Sequence, residues 1–125
     1  MVVNKDYVEW NVASQLDDPE SVMGYWKKII ALRKEMADLF VYGSYTAISE
    51  EETGELVLGY ERISQAGQKA VVLLNFSDVE QRVFTQRVDK FGVLASNQGE
   101  SSFEEAEVVL RPFGAMVFHN STSTL

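Results

Sequence analysis

The side chains able to do chemistry in this chain are few and scattered. A Ser-His-Asp relay needs an imidazole beside its nucleophile, and the chain has one histidine, His119, at the end of its last apolar stretch. That position reads as the end of a strand rather than as a base. Divalent-metal sites need several His or Cys, or carboxylates converging on a rigid loop. The acidic runs Glu50-Glu51-Glu52 and Glu104-Glu105 come nearest to this, but contiguous glutamates in turns are ordinarily solvated charge. Glycoside hydrolysis would need two carboxyl groups roughly 5 to 10 Å apart across a sugar-sized cleft, whereas the Asp and Glu here gather in turns and in the N-terminal arm. The glycines from Gly43 to Gly114 are dispersed and make no phosphate-cradling loop. The chain is therefore expected to supply no catalytic residue, no metal ligand and no cofactor site of its own.

Aromatic rings offer a different chemistry, stacking on sugars. Trp10 and Tyr7 near the N-terminus and Tyr42 and Tyr45 further on are the candidates. Alternating aromatics in a strand, and Trp26 on a helix face, more often serve core or interdomain packing. Two acceptor motifs for N-glycosylation occur, Asn75-Phe76-Ser77 and Asn120-Ser121-Thr122; such short motifs arise by chance, and the first lies in an apolar, strand-like run.

These residues must be positioned by elements that one domain-sized chain of 125 residues can build. Apolar residues make up 46% and charged residues 24%, the proportions of a folding globular chain. The 19 acidic against 11 basic residues, a net charge of -8, disfavour phosphate backbones and anionic surfaces, so neither nucleic acid nor membrane is an expected partner. Cysteine is absent, which rules out disulfides and thiolate metal sites. The opening residues lack a signal peptide's basic and apolar regions, and no apolar run is long enough for a membrane span. A cytoplasmic placement is expected, with secretion also compatible.

Residues 2–16 show no sustained period and read as an irregular arm. Asp17-Asp18-Pro19-Glu20 signals a helix start near Pro19, since Asp accepts from unpaired amides and Pro tolerates the first helical position. Val22, Trp26, Ile29, Ile30, Leu32 and Met36 recur at helical spacing, which predicts an amphipathic helix to about Ala37. Gly24 costs up to about 1 kcal/mol there, a hint that another group comes close. Beyond Asp38 the pattern becomes β-rich, with strands predicted at 40–48, 56–63, 69–76, 82–85, 92–96, 107–110 and 114–119 and turns between them. Short connections imply antiparallel pairing. The fully apolar run from Ala70 to Leu74 suits a central strand of a sandwich. The expected fold is mainly β: an arm and one helix over 1–38, then an antiparallel Greek-key β-sandwich over 39–125.

In order, Val3-Asn4-Lys5-Asp6-Tyr7, Trp10-Asn11-Val12, Gln15, Asp18-Pro19-Glu20-Ser21-Val22, Tyr25-Trp26-Lys27-Lys28 and Leu32-Arg33-Lys34 resemble the end of the catalytic barrel in glycoside hydrolase family 13 α-glucosidases. Phe40-Val41-Tyr42-Gly43, Ala70 to Leu74 with Asn75-Phe76-Ser77-Asp78, Ser96-Asn97 and Leu110-Arg111-Pro112-Phe113 resemble the β domain that follows it, most closely in fungal maltases, with oligo-1,6-glucosidases of the same type. Gln98 departs from the aromatic residue that relatives often carry there, and residues 80–90 match poorly. The resemblance implies that the helix is the last of a (β/α)8 barrel, that this barrel is the chain's missing partner, and that the parent is a retaining α-glucosidase. The family's catalytic Asp, Glu and stabilising Asp lie upstream of every matched stretch, so none is carried over. A helix face without its barrel is expected to self-associate. The alternatives are a carbohydrate-binding module, or a free-standing interaction protein that docks through the Trp26 helix.

Overall fold

The structure, a computed structural model, describes residues 1–99, 103–104 and 106–120 and divides into two compact units, Met1–Glu35 and Met36–Leu125. The first unit is more regular than the expected arm. Asn4 Oδ1 accepts from the Asp6 amide (3.1 Å) and opens a 3-10 turn over Lys5–Val8. Asn11 Oδ1 accepts from the Ser14 amide (2.8 Å) and opens the short helix α1 (Val12–Gln15), while its Nδ2 donates back to the Tyr7 carbonyl at 3.0 Å. These two elements of four residues are held by capping side chains, which supply partners for otherwise unpaired amides. They are too short for a 3.6-residue period to reveal.

The main helix, α2 (Val22–Glu35), begins three residues after Pro19. Asp18 Oδ1 accepts from the Glu20 amide at 2.9 Å, which closes a turn instead of opening the helix. The cap is Ser21: its Oγ accepts from the Gly24 amide (3.1 Å) and its carbonyl from the Tyr25 amide (2.9 Å). Gly24 is explained by this turn, because a Cβ there would sit 2.5 Å from the Pro19 carbonyl oxygen. Tyr25, Ile29 and Leu32 are half-buried, and Val22, Trp26 and Ile30 form an exposed stripe at four-residue spacing.

In the second unit a short helix, α3 (Ala37–Phe40), buries Leu39 completely, and the first strand, β1 (Ser44–Ala47), starts four residues later than predicted. The Glu50-Glu51-Glu52 run, predicted as turn, forms one helical turn, α4 (Glu50–Thr53), whose acidic residues suit the positive end of the backbone dipole. The remaining strands are β2 (Val57–Ile63), β3 (Lys69–Asn75), β4 (Gln81–Phe84), β5 (Gly92–Ser96), β6 (Phe103–Glu104), β7 (Glu107–Leu110) and β8 (Ala115–His119), with a 3-10 turn at Gln86–Val88 between β4 and β5. β6 was not anticipated, and β3 stops at Asn75, leaving Phe76, the last residue of the predicted strand, outside it and 67% exposed.

The strands form two antiparallel sheets, β1-β2-β3-β8-β5 and β4-β7-β6, and the chain passes repeatedly from one to the other. The apolar run is the middle strand of the larger sheet: β3 pairs with β2 from Val57↔Asn75 to Ile63↔Lys69 and with β8 from Ala70↔His119 to Leu74↔Ala115. Val71, Leu73, Met116 and Phe118 from this sheet meet Val83, Val108 and Leu110 from the smaller one in a single core, to which Ile48, Val57 and Val88 add. Ala70 and Val72, on the opposite face of β3, are buried as well, which is why the run does not alternate. Burying each such Val or Leu contributes about 1.5 to 3 kcal/mol. Gly59 lets α4 sit on β2, since a Cβ there would meet Thr53 Cγ2 at 2.8 Å and Leu73 Cδ2 at 3.1 Å.

Candidate functional site

His119 ends β8 between Ala70 and Gly92, with its Nε2 buried and without a hydrogen-bond partner. Burial lowers its pKa, because the charged imidazolium would lose hydration that no protein group replaces there. A relay needs this nitrogen in contact with a hydroxyl or thiol, and that contact is not made.

The Glu50-Glu51-Glu52 run diverges rather than converges. Glu50 and Glu51 face solvent, while Glu52 is half-buried and turns to the segment after β4. Its Oε1 accepts from Thr85 Oγ1 (2.5 Å) and from Arg87 Nε (3.0 Å), and Arg87 Nη1 also lies 3.6 Å from Glu61 Oε1. The Thr85 hydrogen bond is the largest influence on Glu52 and lowers its pKa, with Arg87 adding to this against the opposing effect of burial. The cluster ties α4 to the turn after β4. Glu105 and the side chain of Glu104 lie outside the described residues. Among the described residues no group of three or more His, Cys, Asp or Glu could hold a metal ion, and no helix is long and apolar enough to cross a membrane.

Two of the aromatic rings meet on the larger sheet. Tyr45 of β1 and Tyr60 of β2 stand on the same face of the larger sheet with centroids 5.2 Å apart and planes tilted by 34°. Tyr42, just before β1, is 78% exposed. A small groove of about 290 Å³ opens on the same unit, and Leu56, Val57, Leu58 and Phe76 line it together with Glu50 and Glu55. In the first unit Tyr7, Trp10 and Trp26 are exposed.

The polar residues that organise the β unit most were not recognisable in the sequence. Arg62 spreads its guanidinium over three carbonyls, Leu39 (3.4 Å), Val41 (3.2 Å) and Gly43 (3.1 Å), and so fastens the segment after α3. Gln98 is buried where relatives were expected to carry an aromatic: its Oε1 accepts from the Arg111 amide (3.0 Å) and its Nε2 donates to the Val109 carbonyl (2.8 Å). Asn75, 3% exposed, donates from Nδ2 to the carbonyls of Val79 (2.8 Å) and Arg111 (2.9 Å) and accepts at Oδ1 from the Ser77 amide (2.9 Å) and hydroxyl (2.7 Å). A buried polar side chain in a strand would have been the only signal, and burial is not legible residue by residue.

No family model matches the chain. It is 46% identical over 77 residues to an α-glucosidase of Schizosaccharomyces pombe, a match covering 62% of this chain and 13% of that protein. It is 34% identical over 123 residues to an oligo-1,6-glucosidase of Parageobacillus thermoglucosidasius, covering 93% of this chain and 21% of that protein. Among solved structures, the trehalose-6-phosphate hydrolase of Bacillus licheniformis superposes with a TM-score of 0.82 at 27% identity, over 95% of this chain and 22% of that one. The isomaltulose synthase of Klebsiella sp. LX3 gives 0.82 at 26% identity, over 95% of this chain and 21% of that one. The chain thus spans from about an eighth to about a fifth of the length of the curated relatives it matches. Its homologues by sequence are α-glucosidases and oligo-1,6-glucosidases of glycoside hydrolase family 13, and its fold matches the C-terminal β-sandwich domain of that family's enzymes.

Proposed function

We infer that the chain is the C-terminal segment of a longer α-glucosidase acting on terminal α-glucosidic bonds of maltose-like sugars, and that it does no chemistry itself. Residues 39–125 are then a β-sandwich that supports the catalytic barrel, and residues 1–38 are the arm and last helix of that barrel. One observation carries this reading: similarity runs through 93% of the chain yet takes up only 21% of the relative's length. The side chains agree with it in kind. Glu52, Glu61 and Glu107 pair with Arg87 and Arg82, arginines that tie elements together. The exposed stripe of Val22, Trp26 and Ile30 on α2 is a surface suited to the barrel or, without it, to a second copy.

Two experiments test the reading. The purified chain should not hydrolyse maltose or p-nitrophenyl α-glucoside; turnover that follows the protein peak and disappears with one Asp or Glu substitution would overturn it. Sequencing the transcript upstream of Met1 should reveal an in-frame barrel, and an in-frame stop codon there would remove the support role. The Tyr45–Tyr60 pair and the exposed Tyr42 favour a second reading, sugar binding by the β unit. Tyrosine fluorescence titrated with maltose separates the two: a saturable change lost in Tyr42→Ala supports the second.

A further inference from the structure

Of the two N-glycosylation motifs, Asn75-Phe76-Ser77 lies wholly within the described residues, and there it has another use. Glycosylation joins a sugar to the Asn carboxamide nitrogen and needs that nitrogen, with the hydroxyl two residues on, accessible to a large enzyme. Asn75 is 3% exposed and Ser77 9%. Both N–H groups of Asn75 Nδ2 are engaged, to the Val79 carbonyl on the way into β4 and to the Arg111 carbonyl at the end of β7. The Ser77 hydroxyl donates to Asn75 Oδ1 at 2.7 Å, so it too is turned inward. The backbone closes the same knot: the Asn75 amide donates to the Gly114 carbonyl (2.8 Å), and the Phe113 amide to the Ser77 carbonyl (3.0 Å).

We propose that Asn75 is a latch between the two sheets and that its motif is closed to modification: a glycan on Asn75 and this fold exclude each other. Substituting Nδ2 replaces one of two hydrogens that are both in use and places a sugar where the ends of β3 and β7 meet. A part-buried carbonyl would lose its donor, and the ring would have to fit where Asn75 is only 3% exposed. Modification is then confined to chains that have not folded, and those chains cannot close the sandwich. This holds whether or not the chain is part of an α-glucosidase.

The test is expression of the full chain through a glycosylating secretory host as Asn120→Gln, which leaves Asn75 as the only acceptor. Size exclusion at high dilution, below the concentration at which the chain self-associates, separates monomer from aggregate, and peptide mapping reads Asn75 occupancy in each. A second protein also carries Leu73→Asp, which puts a carboxylate in the core and prevents folding without touching the motif. The expected result is an unmodified monomer, with glycan on Asn75 in the unfolded variant. Monomer that carries the glycan and melts with the unmodified protein would overturn the proposal. Absence of glycan from the unfolded variant would overturn it too, since the fold would then not be what closes the site.

Discussion

The two units of this chain treat apolar surface in opposite ways. Among the described residues every buried apolar side chain belongs to the second unit, from Leu39 to Phe118, whereas the first unit has none and exposes Trp10, Val22, Trp26 and Ile30. Both were drawn from similarly apolar sequence. What separates them is that two sheets can close on each other, burying the facing sides of β3, β8, β4 and β7 together, while a single helix with short flanking turns has only one layer and nothing of its own to close upon. The β unit holds its own core. The helical unit buries no apolar side chain completely.

The sharpest way to break this contrast is to delete methyl groups on each side of it. Leu73→Ala, at the centre of the buried cluster, should cost about 2 to 5 kcal/mol, and thermal melting followed by circular dichroism should show a large drop. Trp26→Ala on the exposed stripe should leave that transition nearly where it was. Equal effects would show that the two units share one core.

The polar latch should come next. Asn75→Ala removes the donors to the part-buried Val79 and Arg111 carbonyls and the acceptor of the Ser77 amide, at about 1 to 3 kcal/mol. Urea unfolding measures this; an unchanged midpoint would mean that water replaces the carboxamide.

A third measurement concerns association rather than stability. Light scattering of the wild type should show concentration-dependent oligomers that disappear in Trp26→Ser, Ile30→Ser, because exposed apolar patches invite a symmetric partner. A strictly monomeric wild type at high concentration would remove the helix face as an interaction surface.

The smallest effect is a pH slope. Burial lowers the folded pKa of His119, so below the ordinary value of 6.5 the unfolded chain binds a proton that the folded one refuses. Stability should therefore fall as pH drops through that window and recover above it, and His119→Gln should flatten the slope there. At more acidic pH the depressed pKa of Glu52 acts in the same sense, with stability lost as pH falls below 4.5, and Glu52→Gln should separate the two. A slope unchanged by His119→Gln would show that the buried nitrogen finds a partner on protonation.

Much of this architecture could be read from local pattern. The apolar run at Ala70–Leu74 identified the middle strand because burial on both faces leaves a continuous signal, and the turn residues between runs predicted antiparallel order because short connections permit nothing else. The spacing of Val22, Trp26 and Ile30 likewise marked the helix and its apolar stripe. Ser21 rather than Asp18 as the cap, and the one-turn helices α1, α3 and α4, escaped because elements of a few residues depend on single hydrogen bonds, not on a period.

Residue type and near-neighbour spacing therefore account for the main helix and for every strand except β6. Tertiary structure alone decided which strands share a sheet, that Phe76 points to solvent while Asn75 beside it is buried, and that Glu52 leaves its acidic neighbours for Thr85 and Arg87. The reason is distance along the chain. Asn75 meets Arg111 across 36 residues and Glu52 meets Arg87 across 35, and a pairing at that separation exists only once the sandwich has closed.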